Sequence, residues 1–197
     1  MADGRLLSVS TPRQTFADLH LPLYGAHQAA NCALALAAAT AFVAQPLDDG
    51  ATRHGLAAVR MPARMETVLA SPRVILDGAH NPDAARALAR ALHDDIPARG
   101  RRILIIGLLA GRDPAAMLDA IEAHKFDEII ACTAPTARAR AAAEIAAAAA
   151  ELGCHVREVP DVADALRTAI AHSGPDDQIV VTGSIYLVAE ARASLSR

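Results

Sequence analysis

The sequence predicts an α/β fold: a mostly parallel sheet with one antiparallel strand and helices on both faces, preceded by a small α+β segment. Three observations carry this. From residue 64 onward, short runs of Ile, Val and Leu alternate with helical stretches of about 10–15 residues, the pattern of a parallel sheet covered on both sides. Roughly a quarter of the 197 residues are alanine, which favours many closely packed helices. Aromatic residues make up only 3% and tryptophan is absent, so the core has to be built from Ala, Leu, Ile and Val.

The first sixty residues read differently from the rest. A short strand is expected at 5–10. Residues 15–23 alternate as a half-buried strand, with Ala17, Leu19, Leu21 and Leu23 on one face. An Ala-rich helix follows over 25–44, stopped by Pro46. Asp48 or Asp49 then caps a shorter helix running to about Val59. A boundary is expected at Met61-Pro62, because proline pushes the preceding residue out of the helical region. Strands at 64–69 and 73–76 are joined by Ala70-Ser71-Pro72. That join is too short for a crossover, so 64–69 is the antiparallel strand. Helix 82–94, strand 102–106, helix 114–123, strand 128–132, helix 138–152, strand 155–159, helix 162–172, strand 178–181 and helix 185–194 complete the chain.

Composition excludes several function classes. With 53% hydrophobic and 21% charged residues the chain is no disordered tail. Its net charge of −3 leaves no basic field for nucleic acid. Cys32, Cys132 and Cys154 are scattered, as reduced thiols packed like small hydrophobes would be. The start Met-Ala-Asp-Gly-Arg has no apolar signal stretch, and the apolar run 32–39 falls short of the roughly 20 residues of a membrane span. A cytoplasmic protein with no membrane partner is expected. Lys125 is the only lysine and follows no Gly-rich loop, so GxxxxGK[ST] is absent. The eight His and three Cys show no metal-ligand spacing, and no metal site is expected on this chain.

In an open α/β sheet, ligands lie beyond the carboxyl ends of the strands. The exits here are Asp77-Gly78-Ala79-His80-Asn81, Gly107, Thr133 and Thr182-Gly183-Ser184. The first is chemically the richest. Asp77 follows an apolar strand directly, and a carboxylate at the edge of burial needs a partner. Gly78 permits close approach to the backbone. His80 is either a satisfied structural histidine or a site residue, and Asn81 reads first as the cap of the helix that Pro82 opens. Asp113 reads as a helix cap, and Arg112 as a solvated cation or a phosphate contact. Ser184 is a helix cap, or marks free N–H groups that receive an anion. The segment Gly107-Leu108-Leu109-Ala110-Gly111 is not GxGxxG, which disfavours a nicotinamide-dependent oxidoreductase.

Three strings together carry a resemblance. Gly25-Ala26-His27-Gln28-Ala29-Ala30-Asn31 resembles the GxHQxxN segment of folylpolyglutamate and dihydrofolate synthases. Pro62-Ala63-Arg64-Met65-Glu66 followed by Asp77-Gly78-Ala79-His80-Asn81-Pro82 resembles their PGRxE and DGAHNP signatures. Thr182-Gly183-Ser184-Ile185-Tyr186-Leu187-Val188-Ala189-Glu190 resembles their TGSLYLVGE segment. These enzymes belong to the Mur ligase superfamily. The resemblance implies a Rossmann-like glutamate ligase domain over 61–197, preceded at 1–60 by a remnant of the central ATPase domain. It implies an ATP-dependent ligase that adds L-glutamate to a folate or pteroate through an acyl phosphate, with ATP between two domains. The P-loop and the Mg2+ ligands are expected on a domain outside this sequence or on a separate chain, leaving this chain inactive alone. By the resemblance Asn31, Arg64 and Asp77 meet the nucleotide, at its ribose in the case of Asp77, while His80 and Ser184 serve the incoming glutamate. Pro62-Ala63-Arg64 departs from the family's PGR, and Gly111-Arg112-Asp113 stands where Asp-Lys-Asp is common, so no role carries over to Arg112. The rival expectation is a stand-alone, non-catalytic nucleotide- or glutamate-binding module.

Overall fold

Residues 4–195 are described by a computed structural model, and they form two compact units that divide between Met61 and Pro62.

The first unit is built on a two-stranded antiparallel sheet of β1 (Arg5–Ser10) and β2 (Thr15–Leu21). The expected face of β2 is only partly right. Leu19, Leu21 and Leu23 are buried, but Ala17 is exposed and Phe16 takes its place at 0% exposure. The cause is a bulge: Leu7 faces Leu19 and Val9 faces Phe16, so β2 carries one extra residue there. Asp18, at φ 53, absorbs it, and a slip of one residue exchanges the two faces of a strand. Helix α1 (Ala26–Val43) buries Gln28, Cys32, Leu36 and Thr40. This i, i+4 stripe packs into a small core with Val9, Phe16 and Leu19. Leu34 and Phe42 stand 71% and 92% exposed on the rest of its surface. By length and composition alone α1 is apolar enough to cross a membrane, although its uninterrupted apolar run is short. Asp48 accepts from the Ala51 N–H at 2.7 Å and so caps α2 (Asp49–Ala57).

The second unit is a six-stranded mixed sheet in the order β3-β4-β8-β5-β6-β7, with β3 (Glu66–Ala70) antiparallel to β4 (Arg73–Leu76) and the rest, including β6 (Glu128–Ala131) and β7 (Val156–Glu158), parallel. This is the expected α/β architecture. The three central strands, β4, β8 (Gln178–Thr182) and β5 (Arg102–Ile106), are apolar on both faces because helices cover both. On one side α6 (Val162–Ala171) and α7 (Ile185–Leu195) pack over Val74, Leu76, Ile103, Ile105, Ile179 and Val181. Alternation turns Ile75, Leu104, Ile106 and Val180 to the other side, where α3 (Pro82–Asp94), α4 (Pro114–Ala120) and α5 (Ala142–Glu151) follow one another. Asn81 caps α3 through the Ala84 N–H at 2.9 Å, and Asp113 caps α4 through the Ala115 N–H at 3.0 Å, both as expected.

Two helices are shorter than the sequence suggests. α4 ends at Ala120 because Glu122 turns left-handed, at φ 57, into a single 3-10 turn. α5 starts at Ala142 rather than 138. Residues 138–140 are instead stitched to the loop after β5: the Ala110 N–H donates to Arg138 O at 2.7 Å and the Arg140 N–H to Leu108 O at 2.9 Å.

Candidate functional site

The exits of β4, β8 and β5 are bound into one platform. Ala79 O accepts from the Gly183 N–H at 2.9 Å and from the Thr182 hydroxyl at 3.3 Å, and the Gly107 N–H donates to Thr182 O at 3.3 Å. Gly183 sits at φ 110, and a Cβ there would lie 2.6 Å from Gly107 O. Only glycine permits that approach. Over this platform opens a cleft of about 250 Å³, lined by Arg64, Gly78, His80, Arg112, Gly183 and Ser184 among others.

Arg64 does not lie in a strand. β3 begins only at Glu66, and Arg64 occupies a tight turn between Ala63 at φ 58 and Met65 at φ 47. Both neighbours are buried, at 5% and 2%, so the arginine between them is presented outward to the cleft. Asp77 holds this turn. One carboxylate oxygen accepts from the Met65 N–H at 2.9 Å and the other from the Ala79 N–H at 2.8 Å. Asp77 is 6% exposed and lies beneath the cleft rather than on its wall. The partner that its position demanded is thus the chain's own backbone.

A left-handed alanine costs about 1–2 kcal/mol relative to the right-handed form, and glycine escapes that cost. Ala63→Gly is therefore expected to leave stability within about 1 kcal/mol of the parent, because relief of strain offsets glycine's larger unfolded-state entropy. Thermal unfolding of the two chains measures this. A loss above about 2 kcal/mol would show that the turn is unstrained.

His80 is exposed at the mouth. Its Nδ1 lies 3.0 Å from Gly78 O. A carbonyl only accepts, so Nδ1 carries the hydrogen and Nε2 of the neutral ring is left as an acceptor. Ser184 is 1% exposed, and its Oγ accepts from the Tyr186 and Leu187 N–H groups at 3.1 and 3.4 Å, making it the cap of α7. It still lines the cleft, at the positive end of an eleven-residue helix. Asn31 belongs to the first unit, on α1, where its Nδ2 donates to Gln28 Oε1 at 3.4 Å. The structure thus brings Arg64, His80 and Ser184 together on one cleft, with Asp77 supporting its wall.

Arg112 is the residue that sequence reasoning left without a role. The stitch between the loops after β5 and β6 fixes its segment, and its side chain lines the cleft. Neither Arg64 nor Arg112 forms a side-chain hydrogen bond or ion pair with any described residue. Among the described residues no acidic side chain lines the cleft, so the lining they form is positive although the chain's net charge is negative. Among the described residues no group of three or more His, Cys, Asp or Glu comes together to hold a metal. The nearby Cys132 is fully buried, and burial pushes its thiol up to about 12, which leaves it inert at neutral pH.

Residues 63–185 match the family described as Mur ligase, glutamate ligase domain. A dihydrofolate synthase/folylpolyglutamate synthase of Mycobacterium tuberculosis is 33% identical over 213 residues, covering 98% of this chain and 43% of that protein. The crystal structure of Mycobacterium tuberculosis folylpolyglutamate synthase complexed with ADP and AMPPCP superposes with a TM-score of 0.91 at 33% identity, covering 100% of this chain and 46% of the other. A bifunctional folylpolyglutamate synthase/dihydrofolate synthase with Mn, AMPPNP and L-glutamate bound superposes at 0.81 and 31% identity, covering 94% and 43%. The chain spans less than half the length of these relatives.

Proposed function

We propose, since this chain belongs to the Mur ligase family through its glutamate ligase domain, that its cleft serves the ATP-dependent addition of L-glutamate to a folate or pteroate carboxyl. The observation that carries this reading is the pair of unpaired arginines, Arg64 and Arg112, converging with His80 and the α7 N-terminus on a cleft without a carboxylate. Such a site is complementary to phosphate and carboxylate groups. The nucleotides and the L-glutamate named with the similar structures are ligands of that chemistry.

In this reading residues 1–60 are the end of the central ATP-binding domain, with Asn31 a nucleotide contact by the resemblance, and 61–197 are the glutamate ligase domain. The substrate carboxylate attacks the γ-phosphorus of ATP and ADP leaves. The glutamate amine then attacks the acyl carbon, and phosphate departs. Arg64 offsets the charge that develops on the phosphoryl oxygens. Arg112 is placed to hold a second anionic group in the same cleft. His80 Nε2 accepts a hydrogen bond, or the proton, from the attacking amine. Asp77 acts on the nucleotide through the turn it braces and, by the resemblance, at the ribose. Mg2+ screens the phosphates in such chemistry; the cleft supplies no ligands for it, and the roles of the chain's own residues do not depend on it.

Two measurements test this reading. ATP added to the chain is expected to shift the amides of Gly78 and residues 183–186 in an NMR titration. The expected dissociation constant is of millimolar order, about −4 kcal/mol. Shifts confined to the opposite end of the sheet would remove the assignment. With dihydropteroate, L-glutamate and Mg-ATP the chain alone is expected to show no turnover, because it has no P-loop to grip the β- and γ-phosphates. Turnover that an Asp77 substitution abolishes would overturn that expectation. Binding without turnover, unchanged when a P-loop-bearing relative's N-terminal half is added, would favour the non-catalytic module.

A further inference from the structure

Arg64 reaches the cleft only because its turn is held in an unfavourable shape, and three ties hold it. Two come from the β4 exit: Asp77 accepts from the Met65 N–H, and the Gly78 N–H donates to Ala63 O at 2.8 Å. The third comes from Glu66, whose Oε2 accepts from the Ala63 N–H at 3.0 Å and also pairs with Arg192 Nη2. Arg192 lies in the last turn of α7, the helix whose N-terminal cap, Ser184, lines the same cleft. Glu66 therefore joins the turn that presents Arg64 to the helix that forms the opposite wall.

We infer that Glu66, clamped by Arg192, is a positioning residue: it sets the direction of Arg64 across the cleft and thereby the cleft's affinity for a phosphate chain. The inference rests on the cleft being the anion site proposed above. Glu66 is poorly placed to meet a ligand itself, since it does not line the cleft. Its carboxylate does what its neighbours on the turn cannot. It satisfies the amide of a residue held at φ 58, at the point where no strand or helix hydrogen bond is available to it. Without that acceptor the Ala63 amide loses its partner and only the two ties from the β4 exit remain, so the turn holds Arg64 less firmly in its direction. The ion pair itself, with side chains 27% and 43% exposed, contributes little stability in water. Its effect is to fix a direction.

The test is a double-mutant cycle on the full chain, with inorganic tripolyphosphate as the probe and binding read by NMR titration. Arg64→Ala is expected to weaken binding, and Glu66→Ala to weaken it about tenfold, the size of one lost charge-assisted hydrogen bond acting through geometry. In the Arg64→Ala background, Glu66→Ala is expected to add nothing, because the residue it positions is gone. Glu66→Gln keeps an oxygen for the Ala63 N–H and is expected to stay within about threefold of the parent. A Glu66→Ala loss of the same size with and without Arg64 would show a general structural role, and would overturn the inference while leaving the anion site standing. No loss in Glu66→Ala, or a Glu66→Gln chain as weak as Glu66→Ala, would overturn it too. A parent chain that binds no tripolyphosphate would overturn both the inference and the site.

Discussion

Replacing Asp77 with alanine is expected to destabilise the second unit by about 3 kcal/mol and to abolish measurable ATP binding. Both effects follow from one carboxylate with two backbone partners, the Met65 and Ala79 N–H groups. Each bond to a charged acceptor contributes about 1.5–3 kcal/mol, and removing the acceptor leaves buried donors unpaired. Stability and binding fall together because the Met65 bond holds the turn that aims Arg64. In a chain of this length about 3 kcal/mol corresponds to a shift of roughly 6–12 °C in the unfolding midpoint. Asp77→Asn separates the effects. It keeps one oxygen but sets an amide N–H against a backbone N–H, so about half the stability loss is expected. Denaturant unfolding with parallel ATP titration measures both. An Asp77→Ala chain of parental stability that had lost only nucleotide binding would mean that this carboxylate acts on the ligand directly and braces nothing.

Gly183→Ala is expected to cost about 3–5 kcal/mol, the range for a buried clash combined with backbone strain. The added methyl would meet the Gly107 carbonyl oxygen at 2.6 Å and Leu108 Cδ2 at 3.1 Å while the residue is held at φ 110. The carbonyl belongs to the sheet exit and has little room to retreat. Gly111 provides the control. It also has a positive φ, 83, but no heavy atom lies within 4 Å of its added Cβ. Gly111→Ala therefore isolates the dihedral cost, about 1–2 kcal/mol. Comparing the two unfolding midpoints decides how far contact, rather than dihedral strain, enforces glycine at the β8 exit. Equal losses would show that the platform yields.

The rhythm of strands and helices was legible because each central strand of the second unit is an unbroken apolar run, and α3 and α4 start at Asn81-Pro82 and Asp113-Pro114, whose capping chemistry is local. The exits that form the platform followed from that rhythm, and with them His80 and Ser184. The bulge at Asp18 was not legible, since nothing in Phe16-Ala17-Asp18-Leu19 marks where a two-residue period slips. The same blindness hid the turn around Arg64. Alanine and methionine carry no signal for a left-handed backbone, so 64 and 65 read as the start of a strand. What holds them there is Asp77 and Glu66, reached only once β3 and β4 pair. Arg112 stayed undecided between a solvated cation and a phosphate contact for a similar reason: its place in the cleft depends on the loops after β5 and β6 binding one another, and loop-to-loop hydrogen bonds leave no periodicity. The resemblance singled out Arg64, which the residues alone read as an ordinary strand arginine.

The last strand in the sequence, β8, sits between β4 and β5 in the sheet. Its exit completes the platform through contacts such as that between Thr182 and Ala79, 103 residues apart. On the ribosome, β4 and β5 therefore emerge long before the strand that must separate them. Until it arrives each exposes an unpaired apolar edge, and the two have to be kept from pairing directly. Closing so long a loop slows folding, and the waiting edges are where a nascent chain of this kind aggregates. The cleft is consequently among the last parts of the domain to take shape, and a chain cut short before residue 178 loses the middle of its sheet rather than an edge.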